Sequence, residues 1–470
     1  MKRLNGADAF MLGMETSKAY MHTFKAAIID PSTDPDGWSF DRFYDECARR
    51  IHVLPMLRWK YLNSPLGLNH PYWVEDPDFD LHYHIRRVAC PPPADHKSLC
   101  EFMGAIYSYQ LDRDRPLWMM WVVEGLADGK VACVMLVHHA YVDGVGASWL
   151  MQQFYQPEVG VKARIAPAHN PPPLPSWLTR LGWALRDFPE VAIAGMPKMA
   201  VGLRRKYMLD RKRKSAGLPP HPSAGQMRQT PINNTLSAGR TFVCDGVPLE
   251  RFVTVSKALG VTINDVFSCC VAGAVRHLLL DLNYDPDAHP LIGATPFAGE
   301  RPPGMEGLGN YVTQDFCWLR SDIADPLKRL RASHEANVEM KEHIKEVKEA
   351  GADINAVMQV MPPWGLTMLR KAIHRKGGSL GLFGNVLLSN VPGPKEALYL
   401  DHWKLVNWYS TGQIFDGTGL NITMWSYCGQ ANICMLIDRA VLKDGWVLFN
   451  YFVDELDALV AVTRTKEAAR

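Results

Sequence analysis

Seven apolar residues, Val131-Ala-Cys-Val-Met-Leu-Val137, run directly into His138-His139-Ala140-Tyr141-Val142-Asp143-Gly144, and helical apolar spacing follows from Val145 to Tyr155. A run this short, rich in β-branched residues and without alternation, suits a strand buried on both faces. The seven residues after it then form a loop between that strand and a helix. Two adjacent histidines and a carboxylate are therefore delivered to one end of a buried strand, which predicts a layered α/β fold with polar chemistry at a sheet end.

The 470 residues exceed what one hydrophobic core supports, since single cores stop growing near about 250–300 residues. The composition marks two α/β regions, 1–165 and 230–470, with a proline-punctuated crossover at 166–229. Pro171-Pro172-Pro173, Pro175, Pro219-Pro220 and Pro222 mark its ends. In the second region, Asp325-Pro326 is an N-cap and first-turn pair opening a charged helix. Phe383–Ser389 reads as a strand, and Leu420–Tyr427 with Ala431–Ile437 as a hairpin.

The chain carries 51 basic and 49 acidic residues, a net charge of +2, so a global nucleic-acid-binding field is not expected. Its ten cysteines are scattered with no short-spaced disulfide framework and fit a reducing compartment, as buried small apolar side chains. Asp8 and Glu15 interrupt any apolar core after Met1-Lys2-Arg3, so no signal peptide is expected. No stretch approaches the roughly 18–20 uncharged apolar residues of a spanning helix.

Three readings of His138–Gly144 stay open from the residues alone. Asp143 can simply cap a helix at a surface turn. His139 and Asp143, four apart, can share a metal, although no HExxH pattern or cysteine pair completes a ligand set. Finally, a histidine held by its backbone and an ionic scaffold can serve as a general base.

HHxxxDG is the signature of the acyl-CoA-dependent acyltransferases of the chloramphenicol-acetyltransferase superfamily. Over nearly its whole length the chain resembles the bacterial wax ester synthase/diacylglycerol acyltransferase family. The resemblance is carried by Leu4 and Asp8, Met21-His22, Trp73 to Leu81, Tyr83-His84-Ile-Arg86-Arg87, and Arg115-Pro116-Leu117-Trp118. Asn264-Asp265, Gly309-Asn310, Asn390-Val-Pro-Gly-Pro394, Gly419 to Thr423 and Ser426-Tyr427 complete it.

The resemblance implies two chloramphenicol-acetyltransferase-like domains, each a mixed sheet flanked by helices. They would form a pseudo-dimer with the active-site channel at the interface. It implies His139 as the catalytic base, His138 as a supporting neighbour, and Asp143 as a structural carboxylate held by a basic partner. Gly144 would allow a tight turn at the helix entry. Asn264 and Asp265 are candidates for positioning substrate or an oxyanion, although Thr262-x-x-Asp265 also reads as a capping box that does no chemistry.

Acyl-CoA is the implied donor and a fatty alcohol or diacylglycerol the acceptor, with neither metal nor further cofactor. The segment from Trp177 through the basic residues Arg204 to Lys214 implies peripheral contact with an anionic membrane or lipid droplet facing the cytoplasm. A stand-alone condensation-type acyltransferase and a non-catalytic droplet protein are the alternatives.

Two stretches depart from the family pattern, Pro296-Phe297-Ala298-Gly299-Glu300-Arg301 and Leu319-Arg320, and both bear on acceptor preference. Gly377-Gly378-Ser379-Leu380-Gly381 matches a GxSxG nucleophile elbow literally. What precedes it, however, reads as a basic helix and not the strand that motif needs.

Overall fold

Strand Val131–His138 is paired antiparallel on both edges, to His22–Asp30 and to Trp118–Glu124. The structure is a computed structural model that describes residues 2–162, 170–218, 220–302, 307–352, 355–375 and 382–468. The GxSxG match lies outside the described residues. Two six-stranded mixed sheets organise the chain, each flanked by helices, with a small three-stranded sheet beside the first.

The first sheet runs in the order Tyr399–Leu400, Trp403–Thr411, His22–Asp30, Val131–His138, Trp118–Glu124, Ile85–Ala89. Only its last pair is parallel. The second runs Val312–Leu319, Leu291–Ala298, Val386–Val391, Leu420–Tyr427, Gln430–Asp438, Arg240–Pro248. There Val386–Val391 is parallel to both neighbours. The hairpin expected near residue 430 is present, turning through Cys428 and Gly429 at φ 46° and 81°. Two successive positive φ values define the turn that matches strand twist, which is where glycine is needed.

The halves are interlocked, which the division at 165 and 230 does not describe. Trp403–Thr411 leaves the second half to pair with His22–Asp30 in the first sheet. His22 to Ile29 are all buried, so that strand needs a partner on each edge to satisfy its backbone. In return, helix His96–Tyr107 of the first half packs against the edge strand Arg240–Pro248. Gly104 permits the approach, because a Cβ there would lie 3.0 Å from the Arg240 carbonyl oxygen.

The crossover forms helix Trp177–Phe188, a π-turn over Pro189–Ala194, and helix Gly195–Ser215. Helix Ile263–Asp281 is long and apolar enough to span a membrane, but it is mostly buried in the second unit. It packs there between helices Pro326–Ala350 and Trp446–Ala468.

Candidate active site

Successive residues at a strand end point to opposite faces, and the two histidines divide accordingly. His138 is wholly buried. Its Nδ1 accepts the Ala140 N–H at 3.1 Å, which places the ring proton on Nε2, 3.8 Å from the buried Glu15 carboxylate. Burial, with His22, Arg113 and His139 adding to it, drives its pKa far below the usual histidine range. His138 is therefore a neutral part of the loop's interior.

His139 faces the other way and stays partly exposed. Its N–H donates to Met21 O at 2.7 Å, and its Nδ1 lies 3.0 Å from Asn310 Nδ2. Burial pushes its pKa down to about 4; Asp143 opposes that shift and Lys25 adds to it. The ring is neutral at physiological pH, and Nε2 has no hydrogen-bond partner among the described residues.

Asp143 caps helix Gly144–Phe154 through Gly146 N at 2.9 Å. The capping reading is correct as far as it goes, but the residue is 2% exposed and does more. Arg301 Nη2 donates to Oδ1 at 2.5 Å, and the Tyr311 N–H donates to Oδ2 at 2.8 Å. Arg301 is thus the basic partner, supplied by the stretch that departs from the family pattern. Its guanidinium also stacks 4.9 Å from the Tyr311 ring. The loop Leu308–Asn310 docks on the motif through Gly309 N to Tyr141 O at 2.6 Å and a bridge from Val142 to Gly309.

Gly144 does not need its freedom. It is the first residue of the helix and has no positive φ, and an added Cβ would meet only Val391 Cγ2 at 3.8 Å. Gly146 is the constrained position, where a Cβ would sit 2.8 Å from Val142 Cγ2 and 3.7 Å from Arg301 Nη2. Gly144→Ala is expected to leave the melting temperature and turnover near wild type, whereas Gly146→Ala lowers both. Thermal unfolding with a parallel activity assay checks the contrast.

Asn264 and Asp265 are separated by the fold. Asp265 forms the capping box with Thr262 and accepts hydrogen bonds from His334 Nδ1 at 2.7 Å and Asn337 Nδ2 at 2.8 Å. Those partners hold its pKa below the usual carboxylate range even though burial opposes them. Its carboxylate is committed to joining two helices. Asn264 stays partly exposed, and its Oδ1 accepts from Asn390 Nδ2 at 3.4 Å. Pro116-Leu117-Trp118 is a structural brace: Leu117 N donates to the Tyr141 hydroxyl, and Trp118 Nε1 to Leu57 O at 2.7 Å.

Two further buried ionisable groups lie close to the motif. Asp8 receives the Asn310 N–H at 2.7 Å, and burial raises its pKa to about 8. Lys25 is buried in the first sheet, donating to Thr23 Oγ1 at 2.7 Å and Ser410 Oγ at 2.6 Å, and burial lowers its pKa to about 7. A lysine inside the otherwise apolar run Phe24 to Ile29 was the available hint.

Lys25 and Val142 border a small apolar pocket, part of it open to solvent, whose walls include Phe43, Met120, Met135, Leu150 and Phe154. Among the described residues, metal-ligand atoms converge at His96, Cys100 and Cys244 and at His221, Asp315 and His343. Neither group contains a residue of the His138–Gly144 loop.

The family model for the wax ester synthase/diacylglycerol acyltransferase catalytic domain matches residues 4–267, and that for the family's C-terminal domain matches 308–460. A Mycobacterium tuberculosis protein with the provisional name diacylglycerol O-acyltransferase is 44% identical, over 99% of this chain and 98% of its own. The O-acyltransferase WSD of Acinetobacter baylyi is 28% identical over 99% of both.

Among solved structures, the wax ester synthase/diacylglycerol acyltransferase of Marinobacter aquaeolei VT8 shares the fold at TM-score 0.69 and 24% identity, covering 98% of this chain and 100% of that one. The first condensation domain of the calcium-dependent antibiotic synthetase does so at 0.59 and 14%, covering 98% and 96%. With the HHxxxDG loop, its ionic anchor and both family domains in place, the chain belongs to the wax ester synthase/diacylglycerol acyltransferase family and is an acyltransferase.

Proposed function

We propose that the protein transfers a fatty acyl group from acyl-CoA to the hydroxyl of a long-chain alcohol or diacylglycerol, giving a wax ester or triacylglycerol. The observation that carries this reading is a neutral, partly exposed His139 held by partners from both halves of the chain. A thioester is already activated, so the difficulty lies in the high pKa of the attacking alcohol.

Nε2 of His139 takes the hydroxyl proton as the alcohol oxygen bonds to the thioester carbonyl carbon. The C–S bond then breaks, and the proton passes to the departing thiolate. Such general-base assistance is worth roughly 10²–10⁴ in rate, and orientation of both substrates contributes the rest. Transfer is direct, within one ternary complex, and needs no group beyond the acyl-CoA co-substrate. The apolar side chains beside Val142 offer the acyl chain an apolar wall, and Asn264 is retained as a polar positioning group.

Peripheral lipid contact from the cytoplasmic side is part of the proposal. Trp177, Leu178, Leu185, Ile193, Leu203, Tyr207 and Met208 are exposed on the crossover helices, beside exposed Arg204, Arg211, Lys212 and Lys214. Arg213 does not belong to that surface, since it is buried against Glu339 and Glu346. Sedimentation with anionic liposomes is expected, weakening as salt rises, because each basic residue near such a surface contributes about 1 kcal/mol. Replacing those four exposed basic residues with glutamine should reduce sedimentation and slow turnover of liposome-borne alcohols, and leave a short soluble alcohol unaffected. A variant that sediments like the parent would place lipid entry elsewhere.

Thiol release from acyl-CoA with a panel of alcohols and amines, with product identification, tests the reaction. Ester formation with long-chain alcohols or diacylglycerol is expected. A preference for amines would favour a condensation-type activity, and no turnover would favour a droplet-binding protein.

A further inference from the structure

Asn310 belongs to the second half of the chain yet meets the ring of His139 in the first. It is 2% exposed, and each of its polar groups is engaged. Its N–H donates to Asp8 Oδ1 at 2.7 Å, its carbonyl accepts from Asn5 Nδ2 at 3.2 Å, and its Oδ1 accepts from Val312 N at 3.0 Å. Those three bonds would suffice to staple a loop. The fourth group, Nδ2, leaves the loop and lies 3.0 Å from His139 Nδ1.

We infer that Asn310 is a positioning residue for His139, clamping Nδ1 with an uncharged amide so that Nε2 is aimed at the substrate hydroxyl. The inference rests on the general-base reading above. For Nε2 to act as the base the ring proton stays on Nδ1, so the Asn310 amide presents Oδ1 to Nδ1–H, turned end for end from the orientation in which Oδ1 accepts from Val312 N. The ring's own carbonyl, also close to Nδ1, offers a second acceptor for that proton. The clamp therefore persists as Nε2 gains and loses its proton, because Nδ1 keeps its own throughout, whereas a carboxylate would favour the charged ring and raise its pKa.

The charged and titratable groups around the ring are Asp143 at the start of helix Gly144–Phe154, Lys25 on strand His22–Asp30, and His138 beside it. Asp8 of helix Gly6–Met14 faces Asn310, and Arg301 faces Asp143. Asn310 contributes no charge to this set.

The test uses the full chain with Asn310→Leu and Asn310→Asp, assayed by thiol release across pH beside His139→Ala. Asn310→Leu should lose at least about tenfold in kcat with KM for acyl-CoA within about threefold, since a displaced base costs rate and not binding. Asn310→Asp should fold and move the acid limb of the kcat/KM profile upward by about one pH unit or more. A Leu variant within twofold of wild-type kcat overturns the inference, as does an unmoved acid limb in the Asp variant. If Asn310→Leu does not fold, the Asp profile decides alone. Retained turnover in His139→Ala would instead mean that the general-base reading itself has failed.

Discussion

His139→Ala is expected to lower kcat by at least about 100-fold, the minimum loss when a general base is removed. KM for acyl-CoA and the melting temperature should stay close to wild type, because the side chain is partly exposed and its backbone N–H still reaches Met21. His138→Ala should act differently. That ring is buried and holds the Ala140 N–H, so its loss should show in stability together with activity. The pH dependence follows from the sign of the shift. A base must be unprotonated, and the His139 pKa is lowered to about 4, so kcat/KM should be flat through neutrality and fall only as pH drops toward 4. Steady-state kinetics with circular dichroism melting checks both statements. Equal kinetic losses at His138 and His139 with unchanged melting would contradict the assignment.

Asp143→Ala should be among the most destabilising single changes in the site, by about 3–5 kcal/mol, because it removes the carboxylate facing a largely buried guanidinium. Loss of the helix cap alone accounts for only about 1 kcal/mol of that. A double-mutant cycle with Arg301→Met separates the two contributions: a strong ionic coupling makes the double variant less unstable than the sum of the singles. Additive costs near the capping value would mean that Arg301 and Asp143 are neighbours without a working ion pair. A lost activity with unchanged melting would place Asp143 at the reacting groups.

Local pattern made part of this legible and geometry supplied the rest. The strand, loop and helix around His138–Gly144 were visible because a buried strand and an amphipathic helix write different apolar periods. Asp325 caps its helix through Lys328 N at 2.7 Å, and Thr262 with Asp265 forms the capping box, since both devices operate within three residues. The pairing of Trp403–Thr411 with His22–Asp30 left no such trace, because strand partners are chosen by long-range packing. Arg301 lies 158 residues from Asp143, and Asn310 lies 171 from His139, so neither partnership has a spacing to read. Gly144 and Gly146 look alike in sequence, and only the position of the Val142 side chain shows which one is required.

The central claim is direct acyl transfer with His139 as base. Its most direct test is a rapid-quench experiment that follows thiol and ester together, with acyl-CoA alone and with acyl-CoA plus a long-chain alcohol. The account predicts no thiol burst and no mass gain on the protein without alcohol. With alcohol, thiol and ester should rise at one shared rate, and His139→Ala should slow both together. One equivalent of thiol released without alcohol, with an acyl adduct on the chain, would contradict it, as would undiminished ester formation by His139→Ala.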